Sequence, residues 1–274
     1  MIDLHLHTTA SDGRCSPQEL VDRAAAAGVT TIGVTDHDTT AAIDETGAAA
    51  RARGIEVIAG IEITAMDAGR DVHVLGYFID PGDIHLSTFL AGQRTRRITR
   101  VNAIGDCLAR LGMPIDIVPL VARAKEQSGY SIGRPQIARA MIAAGYVADT
   151  REAFDRWLAT GRPAFVPRTG PPTREVIEII HAAGGVASLA HPGQTGVDAR
   201  IAAYAESGLD ALEVFHPDHD KASTDKYRGL ARRLNLLVTG GSDFHGDASH
   251  GFEPGAVSLP LEEWVRLRAA ASHA

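Results

Sequence analysis

His5 and His7 flank a single leucine in the run Met1-Ile2-Asp3-Leu4-His5-Leu6-His7, where polar and aliphatic residues alternate. That alternation has the period of a β-strand, so Asp3, His5 and His7 share one face while Ile2, Leu4 and Leu6 pack behind. Two neutral imidazoles on one face can share a metal ion. A His-x-His pair alone is equally compatible with ordinary histidines, so the rest of the chain has to decide. Histidines recur at or just past the ends of predicted strands as His37, His73, His191 and His245, and the carboxylates Asp12, Glu62 and Asp243 take equivalent places. A His, Asp and Glu set without cysteine suits manganese, zinc or iron. These nine donors exceed one ion's needs, since zinc takes about four ligands and octahedral ions about six. Two or three divalent ions are expected, manganese first. Where several ions share a site a carboxylate must bridge, and Glu62 is the best placed. Such ions lower the pKa of a bound water and clamp a phosphoryl group. The expected chemistry is hydrolysis of a phosphate ester, with Glu62, Asp243 and His191 at its catalytic centre. Asp3 is the expected partner of His5, and Asp36 of His37, in orienting the rings.

What must position these groups is a repeated strand and helix. Ser16-Pro17-Gln18-Glu19 reads as a capped helix start, Leu20, Val21 and Ala24 as its buried stripe, and Gly28 as its stop. Residues 31–34 form a short buried strand delivering His37, and a helix follows over 41–53. Strands over 55–64 and 71–78 present Glu62 and His73. Later, strands over 185–190, 211–215 and 236–239 end beside His191, His216 and the run 240–245, with helices over 173–183, 199–207, 221–234 and 261–271. This alternation predicts a parallel sheet or barrel. In an α/β barrel the carboxyl ends of the strands form one rim, where active sites are built, so ligands far apart in sequence would meet there. The rhythm breaks in the middle. Residues 83–112 carry a helical stripe through Ile98, Val101, Ile104, Leu108 and Leu111, and Arg94, Arg96, Arg97 and Arg100 read as its solvated face. Short helical patterns over 118–127, 134–144 and 150–159 follow without strands. The expected organisation is a barrel from residues 1–95 and 168–274, with residues 96–167 inserted as helices that contribute to substrate recognition.

Composition narrows the classes. A chain of 274 residues with 45% hydrophobic content can bury a large core. A formal charge of −7 argues against broad binding to nucleic acid, but it leaves room for an anionic substrate at a metal site. Cys15 and Cys107 allow neither a disulfide framework nor a thiolate cluster, as suits a reducing compartment. No apolar run reaches membrane-spanning length, and no signal peptide is visible, so a cytoplasmic protein is expected. No stable protein partner is implied.

The full set of motifs resembles one family. His5-Leu6-His7 with Ser11-Asp12-Gly13, then Thr35-Asp36-His37-Asp38, Glu62, His73, His191-Pro192 and Ser242-Asp243-Phe244-His245 are similar to the polymerase and histidinol phosphatase (PHP) phosphoesterases. The resemblance implies a distorted (β/α)7 TIM-like barrel with a bi- or trinuclear centre. By it, one metal would take His5, His7, Glu62 and Asp243, a second Asp12, His37 and His245, and a third Glu62, His73 and His191. The helical segment with Gly133-Arg134-Pro135 and Ile137-Ala138-Arg139 resembles a bacterial group of nucleoside 3′,5′-bisphosphate phosphatases that also trim short oligonucleotides from the 5′ end.

Substrate contacts are expected first from Arg134, whose guanidinium can grip phosphate with two donors, and then from Arg168. Tyr77, on the strand face of His73, either touches substrate or packs. His216 is a candidate general acid or phosphate ligand, and His219 a weaker one. His85, His181, His250 and His273 read as surface or structural residues. Histidinol phosphatase activity, a 5′–3′ exonuclease and a non-enzymatic metal-binding scaffold stay open as alternatives. The exonuclease is disfavoured as the sole activity because neither a basic groove nor an aromatic platform is evident.

Overall fold

A computed structural model describes residues 1–246 and 252–271. Seven strands form one sheet in chain order: β1 (Ile2–Leu6), β2 (Thr31–Val34), β3 (Glu56–Asp67), β4 (Arg70–Tyr77), β5 (Val186–Leu189), β6 (Ala211–Phe215) and β7 (Leu237–Gly240). The helices are α1 (Pro17–Ala26), α2 (Ile43–Arg51), α3 (Ile84–Arg110), α4 (Val118–Glu126), α5 (Arg134–Ala143), α6 (Thr150–Ala153), α7 (Thr173–Ala182), α8 (Pro192–Thr195), α9 (Ile201–Glu206), α10 (Lys221–Leu234) and α11 (Leu261–Ala271). The fold is mixed α/β. Helix α1 starts as its sequence requires: Ser16 accepts the Glu19 backbone N–H, and the Glu19 carboxylate accepts that of Ser16. No helix among the described residues is long and apolar enough to cross a membrane.

The sheet departs from the all-parallel expectation at one strand. β4 runs antiparallel to both β3 and β5, whereas the other neighbouring pairs are parallel. The cause is local. The Asp67–Arg70 pair leaves Ala68 and Gly69 as a two-residue turn with φ of 48° and 79°. Positive φ at both central residues matches the twist of a tight hairpin. Ala-Gly lacks the Asn or Asp that usually announces such a turn, so the sequence pattern concealed it.

Beyond the strand ends, β1 is stitched to the segment after β7. His7 N donates to Phe244 O at 3.0 Å, and Phe244 N donates to His5 O at 3.3 Å. These bonds set His5 and His7 beside Asp243 and His245. The main apolar core lies between the sheet and its helices, around Ile61, Ile63, Val74, Leu75, Tyr77 and Ile180. Residues between 101 and 164 pack around a separate apolar cluster that includes Val101, Ile104, Ile137, Met141 and Leu158. Helix α6 passes into a π-helical turn over Phe154–Leu158, inside the stretch predicted as one helix.

Candidate metal centre

All nine predicted donors meet. Groups of their ligand atoms lying within 4.8 Å of one another are His5, His7 and Glu62; His37, Glu62 and His73; His5, His191 and Asp243; and His7, Asp12, His37 and His245. Glu62 is the hub. Its Oε2 lies 3.4 Å from His5, 3.3 Å from His7 and 3.1 Å from His37, while Oε1 lies 2.8 Å from His73 and 3.0 Å from His191. Asp243 Oδ1 is 3.3 Å from His5 and 3.2 Å from His7. Asp12 faces His245 at 3.3 Å and His37 at 3.6 Å. The register explains the gathering: β3 and β4 bring Glu62 and His73 together, β1 carries His5 and leads into His7, and β5 ends two residues before His191.

Electrostatics favours a cation here. Burial works to raise the Asp12, Glu62 and Asp243 carboxyls, but the surrounding imidazoles override it and hold all three well below the usual range. They are ionised. Burial, joined by the neighbouring His7 and His73, pulls His37 down to about 3 against Glu62 and Asp12, so that ring is neutral. Burial also opposes charge on His245, yet Asp12 and Asp243 push it up to about 10, and Glu213, Asp243 and Glu62 raise His5 in the same way. Both ring nitrogens of His7, with Nδ1 of His37 and of His191, are buried without an aligned hydrogen-bond partner. The His7 ring stacks 4.1 Å from that of His245 and lies 4.8 Å from that of His37. Close imidazoles among ionised carboxylates are a donor set for divalent cations, which displace the ring protons those carboxylates otherwise hold on His5 and His245, and these residues fit them. Two of the donors sit in strained backbone, His191 at φ 26° and Asp243 at φ 48°, which for non-glycine residues costs about 1–3 kcal/mol each.

The orienting groups differ from those expected. Asp3 accepts from Ser242 N at 2.9 Å, Ser242 Oγ at 2.6 Å and Gly255 N at 2.7 Å, so it anchors the loop before Asp243 rather than the His5 ring. Asp36 accepts from Thr8 N, Thr8 Oγ1 and Ser11 Oγ, and so holds the Asp12 loop rather than His37. The sequence reading missed Glu213. This wholly buried β6 residue accepts from His5 Nδ1 at 2.9 Å and from His191 N at 2.7 Å. A charged residue between Leu212 and Val214 in a buried strand was the available signal.

A cavity of about 440 Å³ opens over the centre, lined by Asp12, His37, His73, Arg97, Arg134 and Arg168 among others. Arg134 pairs with Asp71 at 3.2 Å, and Arg168 reaches Asp71 at 3.6 Å and Asp38 at 3.8 Å. Arg97 and Arg100 are not on a solvated face. They are 7% and 8% exposed, Arg97 bonded to Asp38 and Arg100 lying 3.6 Å from Asp71. Helix α3 turns this edge inward, which its apolar stripe did not reveal. Four guanidiniums therefore share two carboxylates, and Arg168 Nε and Arg100 Nη2 are buried without a hydrogen-bond partner. Burial and the charge of Arg97 lower Arg168 to about 9 against the pull of Asp71 and Asp38. The wall is cationic.

Tyr77 is wholly buried in the sheet core, paired across to Gly60 and away from this cavity. His216 accepts the Asp218 N–H at Nδ1, so its Nε2 proton faces Asp243 Oδ2 at 3.3 Å. His219 lies between Val214 O and Gly193 N as a structural link. His85 is exposed and His181 pairs with Asp210, whereas His250 and His273 lie outside the described residues.

Residues 3–183 match the sequence profile of the PHP domain. The chain belongs to the PHP family. It is a metal-dependent phosphoesterase of that family, a hydrolase. It is 38% identical over 248 residues to a 5′-3′ exoribonuclease of Haemophilus influenzae, with 89% of each protein covered. To a 3′,5′-nucleoside bisphosphate phosphatase of Chromobacterium violaceum it is 32% identical, covering 93% of this chain and 90% of that protein. A solved structure from Bifidobacterium adolescentis, assigned by inference as a metal-dependent phosphoesterase, superposes with a TM-score of 0.88 at 33% identity, covering 98% of this chain and 95% of the other. The PHP centre thus has its donors on three strands and in the segments that follow strand ends, and an arginine wall contributed largely by helices α3 and α5.

Proposed function

We propose that this PHP protein removes the 3′-phosphate of nucleoside 3′,5′-bisphosphates, leaving the nucleoside 5′-monophosphate. The observation that carries this reading is the adjacency of two anion-binding elements in one cavity, the metal centre and the arginine wall of Arg97, Arg134 and Arg168. A substrate with one phosphate would leave one of them unused. A bisphosphate engages both, with the scissile group at the donors and the other phosphate against Arg97, Arg134 and Arg168.

His5, His7, Glu62 and Asp243 would hold one divalent ion, Asp12, His37 and His245 a second, and Glu62, His73 and His191 a third. Manganese, or otherwise zinc or iron, suits these donors. When bound, such ions supply Lewis-acid stabilisation and activate water. The protein groups do the positioning. Glu213 fixes His5 and the backbone of His191, and His216 steadies Asp243 through its Nε2 proton, a positioning role in place of proton delivery. Asp38 and Asp71 aim the guanidiniums without neutralising them. In this reading residues 1–95 and 168–274 form the distorted (β/α)7 barrel and 96–167 the insertion that shapes the substrate side.

The test is phosphate release from adenosine 3′,5′-bisphosphate with added manganese, beside AMP and histidinol phosphate. Release from the bisphosphate with AMP left intact supports the reading. Preference for histidinol phosphate sinks it, and release from none of the three also sinks it, leaving the exonuclease to be tested on oligonucleotides and then the scaffold alternative.

A further inference from the structure

We propose that a second cavity, behind the Asp12 loop, binds the nucleotide following the scissile phosphate in a single-stranded oligonucleotide. This inference rests on the phosphoesterase reading above and extends it from bisphosphates to diesters. A diester whose first nucleotide sits against the arginine wall must send the rest of its strand out past the metal centre.

The cavity measures about 720 Å³ and lies between the 9–14 loop and helices α4 and α5. It adjoins the centre through the same short segments: Asp12 lines the metal cavity while Ser11 and Gly13 line this one, and Pro135 faces one while Gln136 faces the other. Gln136 Nε2 donates to Ser11 O at 2.7 Å and Arg139 Nη2 to Asp12 O at 3.1 Å, so the partition between the two spaces is tied to the insertion. Arg14, on the far side, has its backbone N–H on His245 O at 2.8 Å.

The lining has the chemistry of a nucleotide. Among the described residues that line it, Arg14, Arg123 and Arg139 are basic and Asp116 is acidic, in a chain whose net charge is −7. Arg123 is fixed in place: its guanidinium carbon lies 4.0 Å over the Tyr130 ring, Nε donates to Gln127 Oε1 at 2.9 Å, and Nη2 donates to Thr9 O at 3.2 Å. A guanidinium plane backed by an aromatic ring is a stacking surface for an unpaired base. Pro119, Leu120 and Ile142 supply apolar wall for the same base, and Arg14 and Arg139 supply charge for its phosphate. The platform that the sequence did not display is assembled from residues 14, 123, 130 and 139, which no linear pattern joins.

The experiment compares adenosine 3′,5′-bisphosphate with a 5′-phosphorylated ribotrinucleotide, using the full-length manganese-loaded protein. Two variants are tested: Arg123→Ala, which removes the stacking plane, and Ala143→Glu, which sets a negative charge at the exposed rim while leaving every arginine in place. Loss of one stacked base predicts a fall of roughly 5- to 150-fold in kcat/KM on the trinucleotide, carried by KM. The rate of Ala143→Glu on the bisphosphate is expected to match wild type. The salt dependence of the trinucleotide KM should also weaken in Ala143→Glu. Wild-type rates for both variants on the trinucleotide overturn the inference while the bisphosphatase reading stands. Equal losses on both substrates also overturn it, because the cavity would then act through the Asp12 loop. A wild-type protein that cleaves neither substrate overturns the two readings together.

Discussion

The Glu213 carboxylate accepts the Nδ1 proton of His5 at 2.9 Å, which points His5 Nε2 at Glu62 and Asp243. A carboxylate behind a ligating imidazole fixes its tautomer and raises its basicity. The Glu213→Gln variant keeps the shape and an oxygen for His191 N but removes the charge. It should fold as wild type and bind manganese about 10- to 100-fold more weakly. Metal titration followed by calorimetry checks this, and unaltered affinity would assign Glu213 to packing alone.

Metal removal should be visible in stability as well as in turnover. The donors are assembled only in the folded chain, so ions bind the native state and raise its melting temperature by mass action. At a concentration of about 100 times Kd the gain is about 2.7 kcal/mol, or roughly 5 °C or more for a chain of this length. Chelation with EDTA should abolish phosphate release and lower the melting temperature, and added manganese should restore both. A melting temperature indifferent to EDTA and manganese would refute occupancy of these donors.

Much of the centre was legible in the sequence because metal ligands are short motifs tied to strand ends. His5-Leu6-His7 and Asp243-Phe244-His245 each carry their own spacing, and the strand and helix rhythm places them on one side of the sheet. Glu213 was hidden because its strand is too short for one charged residue to break a pattern. Arg97 and Arg100 were hidden for another reason. A charged edge on a long helix looks solvated until a second element covers it, and here the covering comes from residues 38, 71 and 168, far away in the chain. The antiparallel β4 likewise turns on two backbone angles at Ala68 and Gly69.

Gly241 is a packing constraint on the centre. A Cβ on this residue would meet His5 N at 2.4 Å, His5 Cβ at 2.6 Å and Asp3 Oδ1 at 2.8 Å. None of these can retreat without moving a ligand or the Asp3 anchor of Ser242. Gly241→Ala should cost about 1–3 kcal/mol of stability by overpacking. It should also reduce kcat/KM at least about tenfold, since ligand displacement is felt beyond the fold. Urea midpoints and steady-state rates measured together check both, and a wild-type kcat/KM in a destabilised variant would separate Gly241 from the centre.

His181 and Asp210 give a pH dependence independent of the metals. His181 Nε2 lies 2.7 Å from Asp210 Oδ2, and that hydrogen bond, against partial burial, raises the His181 pKa above its ordinary 6.5. Asp210 Oδ2 also accepts from Ala187 N at 2.8 Å, tying the end of α7 to β5. A raised pKa means the folded state holds the proton more tightly than the unfolded one. The pair's contribution is therefore complete below about pH 6.5 and declines as pH rises through the raised value. Both side chains are more than a third exposed, so the contribution is small and screened by salt. His181→Ala should lower the urea midpoint more at about pH 5.5 than at about pH 9, and added salt should narrow the difference. A deficit that stayed constant across that range would show the side chain stabilising the fold by packing instead of by charge.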